Sequence, residues 1–144
     1  MPNDDLDSSV PANVPQPCCI RCGRELVSLR SQRLKYGHEC WSAILAASRL
    51  PEIREDDWTF TQLDNAIDLM REGGIMLWRK SSRNLIYRSV ATDGITFYLT
   101  TVQTCNCPAG CWERSCYHRL AVTILQLSIE TARVRRQLER RKVS

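Results

Sequence analysis

Residues Thr104–His118 read TCNCPAGCWERSCYH and hold four of the chain's eight cysteines and one of its two histidines. Four of these side chains fall into a pattern: Cys105-x-Cys107, eight intervening residues, then Cys116-x-His118. Zinc takes four soft or borderline donors at tetrahedral corners, and two donors one residue apart can share an ion where the backbone is extended or turning. A long apolar-patterned helix is expected from about Tyr117, so the second pair sits where first-turn amides and the positive dipole end favour thiolates. A neutral imidazole at His118 then completes the set without adding a fourth negative charge, and its other ring nitrogen is free to be anchored by an acceptor. Cys111 lies inside the loop and is read as a thiol without a role, although it could compete as a donor.

The flanks of this stretch set the fold class. IMLWR reads as a strand, and LIYRSV and ITFYLTTV read as two more, with Asp93-Gly94 as the hairpin signal between them. Thr61 starts TQLDNAIDLMREGG, where Thr61 and Asp64 suggest an approximate capping box, Leu63, Ala66, Ile67 and Met70 form the apolar stripe, and Gly73–Gly74 end the helix. After His118, apolar positions at Leu120, Ile124, Leu127, Thr131, Val134 and Leu138 alternate four and three apart. The expected architecture is α+β: two small zinc-stabilised modules, with a β-hairpin or sheet followed by a zinc loop and a long C-terminal helix.

Strands, C-x-C-P, a short loop, C-x-H and the helix RLAVTILQL together resemble a SWIM zinc finger, a module of chromatin-remodelling-type ATPases and Mutator-type transposases. The resemblance covers roughly residues 75–130 and includes Pro108. It implies zinc on Cys105, Cys107, Cys116 and His118 and a role in binding DNA or protein. The chain departs from the pattern at Tyr117, a slot that is often lysine in such motifs.

A second cluster lies near the N-terminus. Cys19-x-x-Cys22-Gly23 reads as a zinc knuckle, with Gly23 allowing the turn that aims backbone amides at a sulfur. Cys40 stands at the start of the helix WSAILAASRLP, which Pro51 ends, and His38 is two residues earlier. This arrangement is treble-clef-like. C-x-x-C-G-R-x-L followed by Ser31, Gly37 and Cys40 resembles a small zinc-binding module of actinobacterial and phage proteins, for which three cysteines are the constant feature. The fourth donor is assigned to His38 because its spacing mirrors Cys116-x-His118; Cys18 is the rival, though adjacent ligands strain chelation. An exposed loop histidine is the other reading of His38. A thioredoxin-like redox role for Cys19 and Cys22 lacks the strand–CxxC–helix setting it requires.

Composition bounds the rest. The 144 residues are 43 % hydrophobic, enough for one ordinary domain or two small modules. No apolar run approaches the ~18 residues of a membrane span. MPNDDLDSSVPANVPQP is acidic and Pro-rich, is not a secretory signal, and is read as a disordered tail over 1–17. The divisions that follow are an N-terminal zinc module at 18–50, a charged linker at 51–60, a SWIM-like domain at 61–132 and a basic helix end at 133–144. A cytoplasmic, reducing setting makes eight cysteines an argument for metal, two Zn2+ per chain, over disulfides.

The net charge of +4 is unevenly spread. RVRRQLERRK over 133–142 holds six cations against one Glu, with Arg133, Arg136 and Arg140 on one helix face and Arg135 beside them. Arg114 and Arg119 flank the second cluster, and Arg21, Arg24, Arg30, Arg33 and Lys35 crowd the first. Any single arginine is ordinarily a solvated surface group, but two basic regions beside two zinc modules point to nucleic acid. Trp112 stacks on a base, fills a partner's pocket or covers the zinc site; Trp78, Tyr87 and Tyr98 are read as sheet packing. No Ser/His/Asp set or phosphate-binding Gly loop is present, and both histidines are assigned to metal, so the chain reads as a non-enzyme. The expected function is an accessory or regulatory factor binding nucleic acid, DNA in preference. The alternative is an adaptor docking on a larger nucleic-acid-processing machine, to which the heptad-like helix would add docking or self-association.

Overall fold

The computed structural model describes residues 17–54, 58–80, 85–112 and 114–143. The sequence order is α1 (Leu29–Leu34), α2 (His38–Ala47), the single turn α3 (Pro51–Arg54), α4 (Phe60–Arg71), β1 (Ile75–Lys80), β2 (Leu85–Val90), β3 (Phe97–Thr100), the short α5 (Pro108–Cys111) and α6 (Tyr117–Val143). The fold is α+β, with one antiparallel sheet ordered β1-β2-β3 and a long C-terminal helix. Two clusters of metal-compatible side chains lie in its N-terminal and C-terminal parts. No described helix is long and apolar enough to cross a membrane.

Helix α6 organises the core. Leu120, Ala121, Val122, Ile124 and Leu125 are all buried, more than the single stripe expected from the sequence, because α2, α4 and the sheet enclose this half of the helix. Its apolar positions fade outward: Leu127 packs partly against the core, while Val134 and Leu138 are 54 % and 51 % exposed. Cys19, Leu26, Tyr36, Cys40 and Ile44 from the N-terminal segment join the same buried cluster as Met70, Ile75, Tyr87 and the α6 residues. Ile53, in the stretch expected to be a linker, is buried there too, with Trp58 packed against it.

Helix α4 begins two residues earlier than its sequence suggested. Thr59, not Thr61, is the cap: its side chain accepts from the Gln62 amide (3.1 Å) while Gln62 Oε1 accepts from the Thr59 amide (2.9 Å). The T-x-x-Q spacing satisfies two end amides reciprocally, which Thr61 and Asp64 do not do. At the other end Gly73 adopts φ 71°, the left-handed conformation that a terminating glycine supplies at little cost.

The β2–β3 hairpin turns through Asp93-Gly94, as read from the sequence. The Asp93 carboxylate accepts from the amides of Ile95 and Thr96 (2.9 Å each) and from Thr96 Oγ1 (2.7 Å). β-alternation points Tyr87, Ser89 and Thr100 into the core, where all are buried. It leaves Met76, Trp78, Arg88, Phe97 and Leu99 on the opposite face. An irregularity between Leu77 and Arg79 shifts the β1–β2 register and keeps Trp78 above Arg88.

Candidate metal centres

The C-terminal centre is built at the junction of sheet, loop and helix. Cys105 follows β3 and pairs with Thr100 in an isolated bridge. Asn106 clamps the same turn to β3, its Oδ1 accepting from the Leu99 amide at 2.8 Å. Cys107 caps α5, taking the Gly110 amide on its sulfur at 3.3 Å, and Pro108 occupies the first turn. A Cβ on Gly110 would collide with the Cys105 carbonyl, so only glycine lets the loop close this tightly. Cys116 precedes α6 and His118 sits in its first turn. The three sulfurs and an imidazole nitrogen are all buried and lie within 4.8 Å of one another. Tetrahedral bonds of about 2.3 Å would put sulfurs roughly 3.8 Å apart, a separation within that limit.

The electrostatics suit a cation. The hydrogen bond from the Cys116 thiol, helped by His118 and Thr100 against the opposing effect of burial, holds Cys105 down to about 3. The same bond, with burial, pushes Cys116 up, and burial raises Cys107. One sulfur thus carries charge readily; the others need a positive partner to ionise. The Arg119 backbone amide points at Cys116 and lowers it against these effects, as the helix-start argument expects.

Both ring nitrogens of His118 are buried and neither makes a well-formed hydrogen bond, although the ring lies close enough to Cys105 to help lower its thiol. A neutral imidazole has one acceptor nitrogen, and an ion at the cluster would satisfy it. The expected acceptor for the second nitrogen is not found among the described residues. The ring is held instead by aromatic neighbours, Tyr117 at 4.2 Å and Tyr98 at 5.3 Å between centroids.

Behind Cys105 stands a pair of hydroxyls that the sequence reading missed. Ser89 Oγ donates to Thr100 Oγ1 at 2.9 Å, and Thr100 Oγ1 lies 3.3 Å from Cys105 Sγ. Once Cys105 is ionised its sulfur can only accept, so the Thr100 hydroxyl then donates to it, in line with its lowering effect on that thiol. Both side chains are fully buried. The available signal was a polar residue at the inward position of each strand, where an apolar one is the rule.

The N-terminal centre gathers Cys19, Cys22 and Cys40, whose sulfurs lie within 4.8 Å of one another, Cys22 being exposed. Gly23 at φ 80° closes the knuckle. Burial acts against ionisation of Cys19, but the amides of Gly37, Cys22 and Arg21 outweigh it and lower the thiol; the Gly37 contact is 3.4 Å. Burial pushes Cys40 up to about 11, opposed by the Arg21 guanidinium, whose Nη1 donates to Cys40 Sγ at 3.2 Å. Arg21 also donates to Ser128 Oγ and the Ser128 carbonyl, both at 3.0 Å, tying the knuckle to α6.

His38, expected as the fourth donor here, stands outside the group. It is exposed and lines a cavity with Glu39, Ser42 and Arg135. Cys116 precedes its helix, so Cys116 and His118 converge, whereas His38 and Cys40 both lie within α2. Two residues along a helix are roughly 200° apart around its axis, which sends these two side chains to opposite sides. Cys18, the rival donor, is exposed and pairs through its backbone with Glu25. Cys111 is also exposed, with its thiol donating to the Asn106 carbonyl at 3.5 Å.

The basic residues divide. Arg114, Arg133, Arg135, Arg136 and Arg140 are exposed. Arg119 turns inward, with Nε and Nη2 both 3.3 Å from the Val102 carbonyl. Trp112 is 77 % exposed and does not cover the C-terminal centre. Comparison with known proteins found no matching family model, curated protein or solved structure.

Proposed function

We propose that the chain is a zinc-held, non-enzymatic module of SWIM type that binds nucleic acid, DNA in preference, through the basic end of α6. Zinc suits both centres because thiolate-rich donor sets with amide donors behind the sulfurs favour it over the oxygen-seeking cations. At the C-terminal centre Cys105, Cys107, Cys116 and His118 would hold it; at the N-terminal centre Cys19, Cys22 and Cys40 would, with a fourth donor. A closed set of four ligands leaves no position for substrate, which argues for a structural ion.

The observation that carries the nucleic-acid reading is the exposure of α6 from Arg133 onward, a segment with six cations and one carboxylate over 133–142. Cations so placed release counterions when they meet phosphates. The test is a salt titration of binding to a labelled duplex by the full chain and by a chain ending at Ala132. If about three of the cations meet phosphates, truncation lowers the slope of log affinity against log salt by roughly 3 units. Equal slopes would remove the helix end from any nucleic-acid site. One observation favours the adaptor reading: Val134 and Leu138 border a shallow groove with Leu127, Thr131 and Arg135, a surface fitting a partner helix or a second copy.

A further inference from the structure

The outer face of the sheet carries a feature that neither metal centre uses. The Arg88 guanidinium carbon lies 3.6 Å from the Trp78 ring centroid and 4.5 Å from that of Phe97, so the cation is sandwiched between two aromatic rings. Trp78 is 44 % and Phe97 49 % exposed, which leaves surface of each ring open. Met76 and Leu99 flank Arg88 across both neighbouring strands and are also exposed. Arg88 forms no hydrogen bond or ion pair among the described residues, and its Nε is an unsatisfied buried donor. The three strands contain Arg79, Lys80 and Arg88 and no Asp or Glu.

We infer that this face is a stacking platform for a single-stranded nucleic acid, an inference that rests on the nucleic-acid reading above. A ligand matching the face must present flat π surfaces to Trp78 and Phe97 and negative charge to Arg88 and to Arg79, which pairs with Ile86 on the same face. Unpaired bases on a phosphate backbone supply both. A duplex hides its base faces and can use only the charge. An acidic peptide answers the cations but brings no set of planar groups to the rings. The guanidinium sits within cation–π reach of both rings, and its charge adds attraction for a phosphate near the stacked bases.

The test uses the zinc-loaded full chain, a labelled oligothymidylate and a labelled duplex of equal length. Trp78→Ala and Phe97→Ala should each weaken oligothymidylate binding by roughly 5- to 150-fold, the equivalent of ~1–3 kcal/mol for a stacked base. Trp78→Phe should restore most of the loss. The salt slope should not move, since no cation is removed, and duplex affinity should stay where it was. Photo-crosslinking of the unaltered chain to oligothymidylate should place adducts within residues 76–99, a readout independent of how any variant folds. Unchanged oligothymidylate binding by both alanine variants, equal losses on strand and duplex, adducts confined to 133–142, or displacement of the strand by polyglutamate would each overturn the platform while leaving the basic helix end in play. A full chain that binds neither probe would overturn both readings.

Discussion

Thr100→Val tests whether the hydroxyl pair behind the C-terminal centre tunes its metal. Valine keeps the shape and the buried methyl but deletes the oxygen that lies 3.3 Å from Cys105 Sγ and 2.9 Å from Ser89 Oγ. A hydrogen bond to a charged acceptor contributes about 1.5–3 kcal/mol, which at 1.4 kcal/mol per decade sets an upper limit of roughly 10- to 150-fold on the loss of metal affinity, since Cys105 is held low and keeps part of this bond without metal. Changes to the groups behind metal ligands commonly cost about 10–100-fold, so the two routes agree. Ser89 Oγ also loses its acceptor while fully buried, which costs a further ~1–3 kcal/mol of stability. That second cost falls on the metal-bound and metal-free forms alike and lowers Tm without entering the affinity. Chelator titration followed by native mass spectrometry counts the ions, with the N-terminal centre as internal reference. Thr100→Ser, which keeps the hydroxyl, should restore the affinity. Unchanged affinity in Thr100→Val would refute the claim that this hydroxyl donates to the thiolate.

Arg21→Ala removes the bridge between Ser128 and Cys40; it should lower stability by about 1.5–3 kcal/mol and speed metal release from the N-terminal centre only, and Arg21→Lys should not rescue it because an ammonium lacks the fork. Gly110→Ala sets a Cβ against the Cys105 carbonyl and should cost about 1–3 kcal/mol or more, with metal retention at the C-terminal centre falling in parallel; a thermal melt matching the unaltered chain would contradict the tight loop.

The sequence carries the α+β class and the gathering of Cys105, Cys107, Cys116 and His118 because both depend on local spacing: strand alternation, a hairpin turn, and a C-x-H pair astride a helix start. It hides what depends on register. Thr100 and Ser89 become a relay only because β2 pairs with β3 so that Tyr87 meets Thr100 and Ser89 meets Tyr98, bringing the two hydroxyls together on the inner face. It also hides what depends on where a helix begins. The analogy between His38-x-Cys40 and Cys116-x-His118 holds in spacing but not in geometry, because α2 starts at His38 and α6 starts after Cys116. A shift of two residues likewise moved the α4 cap from Thr61 to Thr59. Arg21 reads as one basic residue among several in the knuckle, and only the approach of α6 makes it a tie between Cys40 and Ser128. The Trp78–Arg88–Phe97 sandwich likewise needs three strands and a bulge to assemble.

The most direct test is the metal count of the purified full chain by elemental analysis and native mass spectrometry under reducing conditions. The account predicts two zinc ions per chain, falling to one in Cys116→Ser, in which the C-terminal centre loses a ligand. A full chain carrying one ion or none, or a Cys116→Ser variant that still holds two with undiminished thermal stability, would contradict it.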